Sequence, residues 1–272
     1  MRSPREFRVC VFGDTQNYAR TWHVPDIKAS YTSMAQYAAD GNCDAVIHMG
    51  DMTDNHGGTH EDDQSMWDAN YEALAPIFAA GIPFSPSQGN HDLPSQYELL
   101  VDAVNDTSRP FEAVSSSKRS HSLIQKVGGV DQLIISVGCG WAQDEYDFMK
   151  DQIATHPGIP TLVHSHISTY GRQVPSFSFS DPIFDSARCP QSHGGTQRPT
   201  DQEIADYFRA TEQIYVLAGG HWAGFSVGMD SVRNSNHPHP LFLIMENFQN
   251  IAGSGDGWFG LLTIDQDSGT AR

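Results

Sequence analysis

The 272-residue sequence predicts an α/β fold with mixed β-sheets. In its first half, short apolar runs alternate with helical stretches, a pattern typical of parallel strands joined by crossover helices. The C-terminal part is richer in strands and contains glycine-rich turns such as "GSGDG", which predict an antiparallel portion. Hydrophobic residues make up 39% of the chain, enough for a sizeable core. Because no linker or internal repeat divides the sequence, we expect residues 1–272 to form a single domain.

The predicted strands are short apolar segments that end at glycine, proline or polar residues. Several of them are rich in valine, isoleucine and phenylalanine, which favour strands. In chain order they are residues 7–12, 44–49, 82–87, 121–127, 132–137, 159–164, 213–218, 241–246 and 258–265.

The predicted helices are longer segments between these strands. They are residues 27–40, 64–80, 95–104, 143–155 and 201–210. The last follows "TDQE", a capping box in which Thr200 and Glu203 satisfy backbone N–H groups of the first turn. Residues 171–199 are rich in serine, proline and glycine. Since loops of this length are usually functional or disordered, we interpret this loop as a lid over the site.

The charge of the chain argues against anionic partners. Sixteen basic residues, only four of them lysine, stand against 33 acidic ones, which gives a net charge of −17. Such an anionic field repels nucleic acid and anionic membranes, so we expect neither as a partner. No run reaches 18 apolar residues, so we also expect no membrane span.

The cysteine pattern and the N-terminus favour a cytoplasmic protein. Cys10, Cys43, Cys139 and Cys189 are widely spaced without a C-x-x-C pair, and we expect reduced structural thiols. The N-terminal residues lack the apolar stretch of a signal peptide. A mature secreted form would look the same, and this alternative stays open.

Five predicted strands are followed by polar side chains that can bind metal ions. These are Asp14 and Gln16 after the first strand; Asp51, Asp54 and Asn55 after the second; Asn90, His91 and Asp92 after the third; His164 and His166 after the sixth; and His221 after the seventh. Ligand sites in α/β folds assemble at the carboxyl ends of strands. A single aspartate after a strand is usually a helix cap or a turn former. Capping does not explain why five strands are each followed by such polar residues. Mixed oxygen and imidazole donors suit Mn, Fe, Zn or Co.

These motifs, in this order, resemble the calcineurin-like metallophosphoesterase family. The segments are "GDTQ", "GDMTDN", "GNHD", a histidine after a strand, and "GH" after a strand. The tail "ENFQNIAGSGDGWFGLLTID" is similar to a segment found in a bacterial branch of that family. The resemblance implies a four-layer sandwich, in which two mixed β-sheets pack together and helices flank them. It also implies a dinuclear metal site at one edge of the sheets.

The resemblance further implies a role for each site residue. Asp51 would bridge two divalent ions, Asp14 and Gln16 would bind the first, and Asn90, His164 and His221 would bind the second. Many members have histidine at the position of Gln16 and a second histidine at the position of Ala223, so we expect the first site to be weak. Histidines that could replace the lost ligand are His166, His237 and His239. We expect His166 to point away from the site if the strand geometry continues through it.

His91 would contact the substrate instead of a metal. It would hydrogen-bond a phosphoryl oxygen or protonate the leaving group, and Asp92 would orient its ring. Asn55 is a weaker substrate-binding candidate, because Asp54 and Asn55 fit a loop-supporting role better. Trp222 is interpreted as a loop anchor, with a wall of the substrate pocket as the alternative.

The resulting hypothesis is a metal-dependent phosphoric ester hydrolase. It would cleave a small phosphomonoester or phosphodiester with a metal-activated water at a dinuclear site. The alternative is a degenerate one-metal or metal-free binding protein on the same scaffold, a reading based on Gln16 and Ala223. The sequence leaves open the substrate, the native metal and the oligomeric state.

Overall fold

A computed structural model describes residues 6–54, 63–107, 109–168, 189, 198–222, 224–230, 241–249, 257–265 and 270–271. The described strands form two mixed sheets, one of five strands and one of seven. Helices cover the outer faces, as the resemblance implied. No helix in the described part of the chain is long and apolar enough to cross a membrane.

The first sheet has the strand order β12-β11-β1-β2-β3. Its members are β1 (Glu6–Phe12), β2 (Ala45–His48), β3 (Phe84–Pro86), β11 (Gly260–Asp265) and β12 (Thr270–Ala271). The strands β1, β2 and β3 are parallel, whereas β11 pairs antiparallel with β1 and with β12. The parallel strands therefore end at one common edge.

The second sheet has the strand order β4-β5-β6-β7-β8-β10-β9. Its members are β4 (Ala113–Val114), β5 (His121–Val127), β6 (Val130–Ser136), β7 (Thr161–His164), β8 (Ile214–Gly219), β9 (Gly224–Asp230) and β10 (Leu241–Asn247). The strands β6, β7, β8 and β10 are parallel. Antiparallel β5 and β9 flank them, and β4 lies beyond β5.

Alternating side chains of the second sheet separate two cores. Ile134 of β6 and Leu162 of β7 join the core shared with the first sheet. Their neighbours Leu133, Ile135 and Val163 point the other way, into a second core beneath two helices. This alternation follows from the two-residue period of a β-strand. It accounts for a sheet buried on both faces.

Six helices lie in the described part of the chain. They are α1 (Gln16–Arg20), α2 (Pro25–Tyr37), α3 (Asp63–Ala80), α4 (Pro94–Asn105), α5 (Gln143–Thr155) and α6 (Asp201–Ala210); a π-helical turn, Ala38–Asn42, follows α2. Buried side chains of α2, α3 and α4 join the core of the first sheet, and α5 and α6 cover the second. The predicted capping box of α6 is present, because Thr200 accepts from the Glu203 backbone N–H.

The predicted strands and helices are confirmed, with ends that shift by a few residues. The sequence interpretation missed α1, β4, β9 and β12. Helix α1 has five residues, and β4 and β12 have two each, which is too short for a periodic signal. Strand β9 carries two glycines in seven residues, which weakens its strand pattern.

The expectation of reduced thiols was wrong. Cys10 is joined to Cys43, and Cys139 to Cys189, with Cα–Cα distances of 5.7 Å and 5.8 Å. Both distances fall in the usual range for disulfides. Spacing misled the sequence interpretation, since partners 33 and 50 residues apart carry no local motif.

Candidate metal centre

The parallel strands of both sheets end at the candidate site. Asp14 follows β1 and Asp51 follows β2, while His166 and His221 follow β7 and β8 by two residues each. Ligand atoms of Asp51, His166 and His221 lie within 4.8 Å of one another. His166 and Asp51 are buried, whereas His221 is partly exposed. One side of the cluster is therefore buried in the protein, and the other side is accessible to solvent.

The centre of this cluster is the Nε2 atom of His166. It lies 2.8 Å from Asn90 Oδ1, 3.1 Å from His221 Nδ1 and 3.3 Å from Asp51 Oδ1. The opposite ring nitrogen, Nδ1, lies 2.7 Å from the carbonyl oxygen of Met49. A carbonyl oxygen can only accept, so Nδ1 is the protonated nitrogen, and the neutral ring presents a lone pair at Nε2.

This arrangement fits a divalent cation. An amide oxygen, a carboxylate oxygen and two imidazole nitrogens converge, and all of them are metal ligands. The carbonyl of Met49 supplies the outer hydrogen bond that metal-binding histidines usually make. Without a cation, a second proton on His166, at Nε2, would face the oxygens of Asn90 and Asp51. Although burial lowers the pKa of His166, Asp51 and Asp14 raise it to about 9.

The pKa values of Asp51 and Asp14 are shifted in opposite directions. Burial would raise the pKa of Asp51, but His166 and His91 bring it down to about 2. Burial raises the pKa of Asp14 well above its usual range, against the opposing influence of His166. Both carboxyl groups are buried beside the His166 ring, 3.7 Å and 3.3 Å from its nitrogens, and such surroundings favour a positive charge there.

A sixth strand end, that of β10, also reaches the site, and the sequence interpretation missed it. Asn247 Nδ2 donates to Asp14 Oδ2 at 2.6 Å and to the His221 carbonyl at 3.0 Å. Gln249 Oε1 accepts from Gln16 Nε2 at 2.6 Å. The signal was visible in "ENFQN", since polar residues follow an apolar strand there as they do at the other five positions.

Gln16 opens α1 beside these residues. Its Oε1 atom is buried and accepts no hydrogen bond from any described residue, while its Nε2 is fixed by Gln249. A buried acceptor without a donor is costly unless something else satisfies it. A cation is one way to satisfy this oxygen.

Tight backbone geometry shapes the site. A Cβ atom on Gly89 would lie 2.0 Å from the Asp51 nitrogen and 2.1 Å from Asp51 Oδ1, so only glycine allows this approach. Asp51 and His221 themselves adopt positive φ angles of 48° and 65°. Such conformations cost free energy in residues other than glycine, and they are often found at functional sites.

The structure does not bring His164 into the cluster. It is the last residue of β7, and its ring lies between the sheets, with Nε2 2.8 Å from Ser85 Oγ and Nδ1 2.8 Å from Ser87 Oγ. His166 occupies the expected place instead, contrary to the prediction that it points away. The expectation was wrong in its premise, because residues i and i+2 of a strand lie on the same face. Since β7 ends at His164, the loop beyond it sets the direction of His166, whose ring reaches Met49 and Asn90 while that of His164 stays between the sheets.

His91 lies at the accessible side, but Asp92 does not orient it. His91 Nδ1 is 3.1 Å from Asp54 Oδ1, and its Nε2 is 3.9 Å from Asp51 Oδ2. Arg20 from α1 contacts the other oxygen of Asp54 at 2.7 Å. The acidic side chain beside His91 Nδ1 is therefore Asp54, which the sequence interpretation had placed as a loop support.

Asp92 instead ties together the loops that follow β2 and β3. It is fully buried, its Oδ2 accepts from the Gly89 N–H, and its Oδ1 accepts from the Thr53 N–H at 2.9 Å. Burial raises the pKa of Asp92 to about 7. Because its oxygens face the backbone, Asp92 fixes the loop that carries Asn90 and His91.

Several predicted residues lie outside the described part of the chain. They are Asn55, Ala223, His237, His239 and, apart from Cys189, Arg198 and Pro199, the loop 171–199. Trp222 is described, and its ring meets that of His221 edge to face with centroids 4.8 Å apart.

A family model described as calcineurin-like phosphoesterase matches residues 7–225. The match spans every strand end that contributes to the site except that of β10. A search of curated proteins gave no match.

Solved structures with the same fold share little sequence with this chain. A dimetal phosphatase from Danio rerio is 12% identical with a TM-score of 0.58, and the alignment covers 88% of this chain and 86% of that one. GAP50, the anchor in the inner membrane complex of Plasmodium, is 11% identical with a TM-score of 0.57, at 96% and 81% coverage. A purple acid phosphatase from yellow lupin (Lupinus luteus) seeds is 16% identical with a TM-score of 0.52, at 98% and 52% coverage. At these identities the likeness shows the fold alone.

Proposed function

Since the chain belongs to the calcineurin-like phosphoesterase family, we propose that it is a metal-dependent hydrolase of small phosphomonoesters or phosphodiesters. The observation that supports this proposal most strongly is the convergence of Asn90, Asp51 and His221 on Nε2 of His166. These four side chains would hold one divalent ion. Asp14 and Gln16 would hold a second ion together with Asp51.

Bound divalent ions would lower the pKa of water and neutralise charge on phosphoryl oxygens. The protein's own contribution begins with His91. Its ring is partly exposed, Nδ1 lies 3.1 Å from Asp54 Oδ1, and Nε2 lies on the side of Asp51, 3.9 Å from Oδ2. From there it can donate a hydrogen bond to a phosphoryl oxygen or a proton to the leaving group.

Asp54 and Arg20 position His91. Arg20 contacts Asp54 on one side, and its second nitrogen donates to Asn17 Oδ1 at 3.0 Å. This chain of contacts links α1 to the loop after β2. It limits rotation of the His91 ring before substrate arrives, which is the benefit of a preorganised site.

A second candidate function is a binding protein on the same scaffold. The observation that favours it is the neutral amide of Gln16 at a position where many family members have histidine. GAP50, with the same fold, is described as an anchor. Such a protein would bind a phosphate ester without cleaving it.

The two disulfides favour an oxidising compartment over the cytoplasm as the place where the protein works. The mature secreted form is therefore the localisation that we propose. We propose no nucleic acid and no membrane as a partner, because the net charge is −17.

The experiment compares His166→Ala with a control, His23→Ala, which changes an exposed histidine. Each protein is loaded with Mn²⁺, desalted, analysed for metal, and assayed with p-nitrophenyl phosphate and bis(p-nitrophenyl) phosphate. We expect the wild type and the control to bind metal and cleave one of the esters, whereas His166→Ala should bind fewer ions per chain than the control and lose ester cleavage. Metal binding without turnover of either ester would instead support the binding protein.

A further inference from the structure

The two proposed metal positions differ in their donor atoms. The position at His166 combines two imidazoles with oxygen ligands. The position at Asp14 has oxygen donors from Asp14, Gln16 and Asp51. Nδ1 of His166 lies 3.7 Å from Asp14 Oδ1. That nitrogen is committed to the carbonyl of Met49, so it cannot bind a metal.

We propose that Asp14, Gln16 and Asp51, whose donors in the described part of the chain are all oxygen atoms, form a position that selects a hard divalent ion such as Mn²⁺, Mg²⁺ or Ca²⁺, while the His166 position takes a softer ion such as Zn²⁺. This inference rests on the proposed function. Carboxylate and carbonyl oxygens suit Mg, Ca and Mn, whereas imidazole suits Zn, Cu, Fe and Ni. The centre would then be a mixed-metal pair.

The end of β10 makes this position specific. Asn247 is 1% exposed, and its amide donates to Asp14 Oδ2, which leaves Oδ1 on the side of His166. Gln249 accepts from the amide nitrogen of Gln16, so the carbonyl Oε1 of Gln16 is the atom left for a ligand. Asn247 Oδ1 also accepts from the Gln249 N–H at 3.0 Å. One short turn thus orients both oxygen ligands.

The buried Oε1 atom of Gln16 is a second observation that points to a cation at this position. Gln16 is 8% exposed, and no described residue donates to this oxygen. Asn17, the next residue in α1, also bonds to the β10 end, since its Nδ2 donates to the Gln249 carbonyl at 3.1 Å. The orientation of Gln16 is therefore fixed from two sides.

The test offers Zn²⁺ and Mn²⁺ together and measures both metals per chain after desalting. We expect about one Zn and one Mn in the wild type. Asn247→Ala and Gln249→Ala should bind Mn²⁺ roughly 10–100-fold more weakly, as is usual when the outer partners of metal ligands are lost. Both variants should keep their Zn. The control Gln36→Ala changes an exposed glutamine whose amide bonds only to Asp40, and it should keep both metals.

A gain-of-function variant completes the test. Gln16→His adds an imidazole to the oxygen position, so we expect it to exchange Mn for a second Zn. Two Zn ions in the wild type, or unchanged Mn affinity in both β10 variants, would overturn the inference. If the wild type holds Zn but no Mn, the hard-ion position is wrong while the His166 position stands. If it holds no metal at all, the proposed function fails as well.

Discussion

The Cys139–Cys189 disulfide lies in the core beside the metal centre. Both cysteines are buried against Ile167, the residue that follows His166. Trp141 also holds Ile167, because its Nε1 donates to the Ile167 carbonyl at 2.9 Å. We therefore expect the double variant Cys139→Ser/Cys189→Ser to lose both stability and metal affinity.

The size of the stability loss follows from the length of the closed loop. The cysteines are 50 residues apart. The chain-entropy relation for a loop of this length gives about 4 kcal/mol of stabilisation at 25 °C. The Cys10–Cys43 pair closes 33 residues, so the same relation gives nearly the same value, also about 4 kcal/mol.

Urea unfolding with and without a reductant measures this loss. The double variant should unfold at a lower urea concentration than the oxidised wild type, and reductant should shift the wild type toward the variant. Cys10→Ser/Cys43→Ser is the matched control, since it loses a similar loop constraint but leaves the Ile167 contact. Equal metal affinity in both double variants would refute the local argument. A wild-type midpoint that does not respond to reductant would refute the stability argument.

Three more changes separate the roles assigned above. Asp54→Asn should lower kcat roughly 10–100-fold and keep both metals, because it removes the carboxylate beside His91. Ester hydrolysis measures kcat and elemental analysis measures the metals. Loss of metal would contradict this role. His164→Ala should lower the free energy of unfolding by about 1–3 kcal/mol, measured in urea, since it removes the two hydrogen bonds between the buried His164 ring and Ser85 and Ser87. Loss of metal without loss of stability would make His164 a ligand. Glu145→Gln should flatten the pH dependence of stability, because burial raises the pKa of Glu145 to about 8. The wild type should lose stability as pH rises from about 4.5 toward about 8, whereas the variant should not. Thermal unfolding of both proteins across this pH range measures the difference. If the unfolding temperatures of the two proteins changed with pH in parallel, Glu145 would not be involved.

The comparison of His164 with His166 shows where strand patterns stop being informative. Both follow the same apolar run, and the sequence favours the first because it directly follows the apolar residues. The structure ends β7 at His164, whose ring is taken up by Ser85 and Ser87 between the sheets. The predicted strand and β7 both end at His164, so the difference arises in the loop beyond the strand, whose path brings His166 to the site and carries no periodic signal in the sequence.

Asp54 and Asp92 give the same lesson for loops. Both are acidic residues that the sequence places near His91. Because Asp92 directly follows His91 in the chain, the sequence favoured Asp92 as its partner. The Asp92 carboxylate instead accepts backbone N–H groups from Gly89 and Thr53. Backbone donors of a tight turn are fixed only when the two loops pack together, so the partner of His91 could not be read from spacing.

The sequence by itself determined the α/β class, the order of most strands and helices, and the five strand ends that carry polar residues. These features depend on local periodicity and on composition, which are properties of short segments. Tertiary structure alone decided that His166 and not His164 lies beside Asn90 and Asp51, that Asp54 lies beside His91, that the end of β10 contacts Asp14 and Gln16, and that the cysteines pair. Each of these depends on contacts between segments far apart in sequence, and such contacts exist only once the two sheets are packed.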